Sequence, residues 1–194
     1  MKKGIMIFGP AGSGKTTLGK MVADQLGFTF IDIDDYIWAK NTEIPFSRMC
    51  SRVEKINNLM NAVSQSEHFV MAGSMDSFHE YFDPFFSLAV HLTAPANVRI
   101  ARVRQREYER FGSRILAGGD MYDAHQHFLA DVAAYDIGGG SMSLVLHQQW
   151  AECLKCPVLR LDGSKDLKIN LNTIITKYST ISSINSALQK TSKT

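Results

Sequence analysis

Residues 9–16 read Gly-Pro-Ala-Gly-Ser-Gly-Lys-Thr, a complete G-x-x-x-x-G-K-[ST] pattern between an apolar run and a helical periodicity. The chemistry of such a segment is phosphate capture. Gly9, Gly12 and Gly14 let backbone N–H groups approach phosphate oxygens, Ala11 and Ser13 complete the cradle, and the following helix turns its positive end toward it. Lys15 adds a full charge where β- and γ-phosphates would lie, Thr16 offers a hydroxyl to Mg2+, and Thr17 stands beside it. A glycine-rich turn that merely caps a helix is the alternative, and the complete pattern in its strand-to-helix context argues against it.

Asp32 and Asp34 stand two residues apart at the end of the next apolar stretch. In an extended chain both carboxylates project from one face and Asp35 points away. Ligands of a parallel sheet gather beyond the carboxyl ends of its strands, so the pair is expected near the phosphate loop. Asp32 is expected to support Mg2+ through water, and Asp34 to orient or deprotonate an acceptor hydroxyl. A solvated loop or a helix cap is the competing reading for each acid.

Six of the nine arginines fall between Arg99 and Arg114. If residues 96–110 are helical, Arg99, Arg102, Arg106 and Arg110 form one stripe. Each exposed like-charge pair there costs about 0.2–0.5 kcal/mol, partly offset by Glu107 and Glu109, and a bound polyanion relieves it. Arg102 and Arg106 are therefore expected on the nucleotide. Arg110 and Arg114 flank Gly112 and are expected to swing onto the γ-phosphoryl group in flight, whose charge suits a planar guanidinium fork. The bland alternative is a solvated helix face.

The elements needed to place these groups show as an alternation. Residues 4–8 are a short apolar run expected as the central strand, and helical spacing from Lys15 to Leu26 stops at Gly27. Further strands are expected at residues 28–33, 68–72, 88–92 and 158–161, with a helix over about 48–64 between the second and third. Strands separated by helical stretches indicate a parallel sheet covered on both faces. Glycines recur at Gly118-Gly119 and Gly138-Gly139-Gly140 around a helix-like piece at 121–135. This segment is expected to be a mobile insertion whose closure excludes water. Residues 179–194 are rich in Ser, Thr, Asn and Lys and are expected to be a flexible tail after a domain spanning 1–178.

At 194 residues, with 45% hydrophobic and 21% charged residues, the chain has the composition of one ordinary globular domain. A net charge of +2 is too small to indicate a nucleic-acid polymer or a membrane surface as partner. No stretch approaches the roughly 20 apolar residues that span a bilayer. Cys50, Cys153 and Cys156 are too few for a disulfide framework, and the first residues lack the apolar run of a signal peptide, so a cytoplasmic location is expected. The Cys153–Cys156 spacing stands alone and reads as ordinary thiols. His125, His127 and His147 read as surface or satisfied core residues. The chain has no N-K-x-D run of the kind that reads guanine, so ATP is the expected nucleotide. Nothing in the pattern specifies an oligomeric state.

Through GPAGSGKTT, Phe30-Ile31-Asp32-Ile33-Asp34 and the arginine-rich helix, the chain resembles the small P-loop kinases of the adenylate kinase, shikimate kinase and gluconate kinase group over most of residues 4–177. The resemblance implies an α/β fold: a three-layer α/β/α P-loop NTPase with a five-stranded parallel sheet and a helical lid at about 110–140. It implies ATP and Mg2+, Asp32 on the magnesium side, Asp34 on the acceptor side, and Arg48 or Arg52 as an acceptor-binding arginine. Arg102 and Asp162-Gly163-Ser164 look like the adenine-flanking positions. Shikimate kinases carry a triple glycine after the third strand, where this chain has Gly73-Ser74-Met75; Gly73 is the matching acceptor-side position. The segment Gly118–Tyr122 with His125 is similar to one in uncharacterised bacterial adenylate-kinase-related proteins. The expected activity is phosphoryl transfer from ATP to a small-molecule or nucleotide acceptor through Lys15, Asp34, Arg110 and Arg114. The alternative is a regulatory or interaction module that binds ATP without transferring phosphate.

Overall fold

The computed structural model describes residues 3–75, 77–138 and 142–191. Strand β1 (Lys3–Phe8) has Ile5, Met6, Ile7 and Phe8 wholly buried. Because side chains alternate along a strand, this one run feeds two cores. Met6 and Phe8 join Leu59, Val63 and Trp150 from helices α3 (Arg52–Ser64) and α6 (Leu144–Cys153). Ile5 and Ile7 join Leu18, Val22, Ile174 and Tyr178 from α1 (Lys15–Leu26) and α7 (Leu167–Thr191).

Parallel pairing sets β1 between β3 (His68–Ala72) and β4 (Phe86–Thr93), with β2 (Thr29–Asp32) outside β3 and β5 (Val158–Asp162) outside β4. The expected five-stranded parallel sheet with helices on both faces is borne out. From β1 the chain runs to one edge for β2 and returns through β3 to the other side for β4 and β5. A crevice therefore opens beyond the carboxyl end of β1, and residues 9–14 sit there.

Helix α3 starts at Arg52 rather than near 48. Ser51 accepts from the Glu54 N–H and the Glu54 carboxylate accepts from the Ser51 N–H, a reciprocal cap that fixes the start. The residues before it fold back as a loop, with Trp38 bridging Met49 and the Ala39 N–H donating to the Arg48 carbonyl at 2.9 Å. Helix α4 (Ala96–Phe111) packs on α5 (Tyr122–Ala134) through Val103, Leu129 and Val132. The segment expected as a lid is thus largely helix docked on α4; Gly139 and Gly140 lie outside the described residues.

Helix α7 continues past residue 178 to Thr191. Ile174, Tyr178 and Ile181 pack on the sheet-side core, and the hydroxyls of Thr173, Thr180 and Ser183 donate to carbonyls four residues back. Polar composition therefore did not end the helix. Residues 192–194 of the expected tail lie outside the described residues. Among the described residues, no helix is long and apolar enough to cross a membrane.

Gly19 lets α1 lie close to the sheet: a Cβ there would stand 2.7 Å from the Phe30 ring and 3.3 Å from the Ala72 methyl. Gly19→Val is expected to destabilise the protein by about 2 kcal/mol through overpacking. Urea unfolding measures it, and an unchanged midpoint would contradict this packing.

Candidate active site

Helix α1 begins at Gly14, whose φ of 98° is left-handed; no side chain caps it and no acid lies in its first turn. Its first N–H groups and its partial positive charge are thus available to an anion. Gly9 and Gly12 also have positive φ, 142° and 79°. A Cβ on Gly9 would strike the Leu92 carbonyl, and one on Gly12 would strike the backbone of Arg99. Ser13 is fully buried and its hydroxyl has no hydrogen-bond partner. Lys15 Nζ curls back to donate to the Pro10 carbonyl at 2.8 Å. Burial pushes its pKa down to about 8; Asp34 pulls it up, Arg106 lowers it, Asp32 raises it and Arg99 lowers it.

The Thr16 hydroxyl donates to Asp32 Oδ2 at 3.1 Å, and the Asp34 N–H donates to Asp32 Oδ1 at 3.2 Å. The extended geometry expected here is corrected. Strand β2 stops at Asp32, Ile33 turns helical, and Asp34 opens the single-turn helix α2 (Asp34–Ile37). The turn still brings the carboxylates together, with the amide of one capping the other. Partial burial and then the charge of Asp34 raise the Asp32 pKa, while the bonds from Asp34 N–H and Thr16 oppose the rise. Two crowded acids beside a hydroxyl form an oxygen donor set that suits Mg2+, which takes only one or two protein ligands beside phosphate oxygens. The uncapped helix and the side-chain-free cradle likewise fit ATP phosphates.

On the other side of the loop, Arg102 Nη1 donates to the carbonyls of Gly163, at 3.0 Å, and Gly12, at 3.3 Å. Ser164 donates through N–H and hydroxyl to Asp162 Oδ1 at 2.8 and 2.6 Å, which holds that carboxyl below its ordinary range. The turn after β5 is thereby fastened to the phosphate loop. Arg106 reaches Glu107 at 3.3 Å.

The expected arginine stripe breaks up. Arg99 is wholly buried, paired with Asp136 at 2.5 Å and stacked on the Tyr135 ring, while its Nε and Nη1 have no partner among the described residues. Arg110 lies over Phe46 with its guanidinium 4.5 Å from the ring centroid. Arg114 grips Asp120 with three bonds, at 2.9, 3.2 and 2.6 Å, and this pairing raises its pKa. Both arginines expected at the γ-phosphate thus rest on partners in the lid and the 38–49 loop. Arg52 is held by Glu80, the Ser77 carbonyl and the Tyr81 ring, and Arg48 is exposed near Glu54. Gly73 has a φ of 141°, and a Cβ there would meet Ile33 at 2.6 Å.

Lys15, Thr16, Asp32, Asp34, Arg102, Arg106, Gly163 and Ser164 therefore gather around the phosphate loop, whereas Arg48, Arg52, Arg110 and Arg114 are turned to other partners. Ser74 and His147 were not expected here, and Arg99, expected in the exposed stripe, is buried. The one signal for such a set is His91, a titratable residue inside the apolar run of β4, which needs a buried partner. A cavity of about 370 Å³ between α4 and α5, lined by Arg104, Tyr108, Tyr122 and His125 among others, lies apart from this cluster. The three cysteines are free thiols, and burial pushes that of Cys156 up to about 11.

Residues 5–118 match the family described as AAA domain. The chain belongs to the AAA domain family. It is 33% identical over 175 residues, 88% of this chain and 93% of the relative, to the uncharacterized protein YqaC of Bacillus subtilis. It is 29% identical over 113 residues, 50% of this chain and 58% of the relative, to a shikimate kinase of Psychrobacter arcticus. Its fold is that of shikimate kinase from Acinetobacter baumannii in complex with shikimate, with a TM-score of 0.55 at 17% identity over 93% of this chain and 94% of that one. The resemblance to small P-loop kinases is borne out, and with it the class of enzyme, a kinase.

Lys15 falls to about 8 in the folded protein from an ordinary 10.5, so the unfolded chain binds more protons between those values. Its penalty is present in full below pH 8 and is relieved as pH rises toward 10.5. Lys15→Met should therefore stabilise the nucleotide-free protein at pH 7 by about 1–2 kcal/mol while abolishing ATP binding. Urea unfolding of both proteins at pH 7 and pH 10 checks this: the gap should narrow at the higher pH, and a destabilised variant at pH 7 would refute it.

Proposed function

We propose that the protein is a soluble, cytoplasmic ATP-dependent kinase that moves the γ-phosphoryl group of ATP to an oxygen of a small acceptor, either a metabolite hydroxyl or a nucleotide phosphate. The observation that supports this reading best is the convergence of Lys15, the Thr16–Asp32 pair and Asp34 beyond the carboxyl ends of β1 and β2. One side of that cluster suits a polyphosphate. The other suits a hydroxyl that must lose a proton.

The backbone donors of residues 12–16 and the uncapped end of α1 hold the phosphates. Lys15 regains its full charge beside them, because an adjacent anion reverses the effect of burial. Arg102 and Arg106 flank the nucleotide. The Thr16 hydroxyl and, through water, Asp32 would hold Mg2+, which would supply charge neutralisation at the phosphates when bound. Asp34 orients the acceptor and takes its proton as the new P–O bond forms and the bond to ADP breaks. Arg110 and Arg114 enter by exchanging Phe46 and Asp120 for the γ-phosphoryl group, a movement that draws the lid over the site and excludes water. Gly73 and the 38–52 segment with Arg48 and Arg52 border the acceptor. Ser74 in place of a second glycine argues against shikimate itself.

ADP release measured across nucleoside monophosphates, sugars, hydroxy acids and aminoglycoside-like compounds, with Lys15→Ala as the blank, should show stimulation by one class. Stimulation by none would identify a non-transferring ATP-binding module. Asp34→Asn should lower the stimulated rate about a hundredfold or more while leaving ATP affinity within about threefold. An unchanged rate would remove Asp34 from catalysis.

A further inference from the structure

Four polar side chains that phosphoryl transfer does not use stand in single file behind the phosphate loop. His91 Nε2 lies 3.1 Å from the Tyr135 hydroxyl, which lies 2.8 Å from His147 Nδ1. His147 Nε2 lies 3.1 Å from Ser74 Oγ, which in turn lies 3.5 Å from the Gly9 carbonyl oxygen. His91, Tyr135 and His147 are 3%, 2% and 1% exposed, so protein rather than bulk water must satisfy them. They come from β4, the turn after α5, and α6; Ser74 follows β3.

The long 3.5 Å contact to Gly9, where it is made, sets the direction of the other bonds. A carbonyl oxygen can only accept, so the Ser74 hydroxyl donates to Gly9. The serine oxygen then accepts from His147 Nε2–H. Burial holds both imidazoles neutral, with His91 pushed down to about 4 and His147 to about 3. A neutral His147 that carries its proton on Nε2 has a bare Nδ1, which accepts from the Tyr135 hydroxyl. The tyrosine oxygen in turn accepts from His91 Nε2–H. All four bonds therefore run one way, and each polarises the next.

The same turn grips the loop a second time. Asp136 follows Tyr135 and pairs with Arg99, whose backbone lies where a Cβ of Gly12 would be. The return from α5 is thus tied to Gly9 through the file and to Gly12 through Arg99.

We propose that His91, Tyr135, His147 and Ser74 form a positioning relay that orients the Gly9 peptide of the phosphate loop and couples nucleotide affinity to the end of the lid. The proposal rests on ATP binding at residues 9–16. None of the four is a catalytic residue; each acts through the loop.

Histidine side-chain nitrogen NMR reads the tautomers without any activity. Both His91 and His147 should be neutral with the proton on Nε2, and Tyr135→Phe should shift the ring nitrogens of both. A His147 proton on Nδ1 would overturn the chain. Ser74→Ala should weaken ATP binding about threefold to tenfold by calorimetry, and Ser74→Thr, which keeps the hydroxyl, should restore it to within about twofold. Unchanged affinity in Ser74→Ala, or no recovery in Ser74→Thr, would overturn the relay. If the parent protein bound no ATP, the kinase reading would fall and the relay's purpose with it, while the tautomers would still show whether the chain itself is correct.

Discussion

The phosphate loop is held by backbone pressed against backbone. Leu92 presents its carbonyl where a Cβ of Gly9 would stand, the backbone of Arg99 occupies that place for Gly12, and the Ser13 carbonyl occupies it for Gly163. These approaches lock the end of β4, the first turn of α4 and the turn after β5 around residues 9–14. Once they are locked, the positions of other groups follow. Arg102, one helical turn beyond Arg99, reaches both the Gly12 and Gly163 carbonyls, and Arg99 is forced beneath the loop. The sheet serves this arrangement by bringing β1 and β4 side by side in parallel, so that Phe8 pairs with His91 just before both chains leave the sheet.

That geometry crowds charge. Lys15 feels Arg106 and Arg99 on one side and Asp34 and Asp32 on the other, and partial burial penalises the charged form of both lysine and acid. A buried serine hydroxyl and two guanidinium nitrogens without partners add to the cost, since each unsatisfied buried polar group is worth about 1–3 kcal/mol. A domain selected for stability alone would not keep such a set. Opposite charges are thus held close together with few partners of their own around the phosphate loop. Local rules of satisfaction fail here and hold in the surrounding core, as expected where strain is stored for binding.

How much of this was legible in the sequence depended on how local each determinant is. Gly9–Thr16 is contiguous, so its chemistry could be read from spacing, and β1, β3 and β4 could be read as apolar runs because both their faces are buried. Asp34 was assigned to the right neighbourhood for the wrong reason: alternation assumes a strand, and one turn of helix at residues 34–37 replaced it. Helical periodicity placed Arg99 with Arg102 and Arg106 but carries no information on depth, and depth is what removed Arg99 from the exposed stripe. Composition carries little information on α7, because Ser and Thr hydroxyls can bond back along a helix. The file from His91 to Ser74 was invisible, since its members lie far apart in the chain and meet only when the sheet forms.

Burial also decides which arginines can move. Arg114 with Asp120 is a solvent-screened surface pair, and the stacking of Arg110 on Phe46 lies at the surface as well. Arg99 differs: breaking its bond to Asp136 would leave a wholly buried cation without a counter-charge, at a cost of about 3–5 kcal/mol for comparable pairs. The segment between Arg110 and Asp136 therefore has one end held in the core and one held at the surface. Its return, at Tyr135 and Asp136, is anchored under the phosphate loop, whereas its entry, at Arg110 and Arg114, is held only by contacts that solvent or substrate can replace.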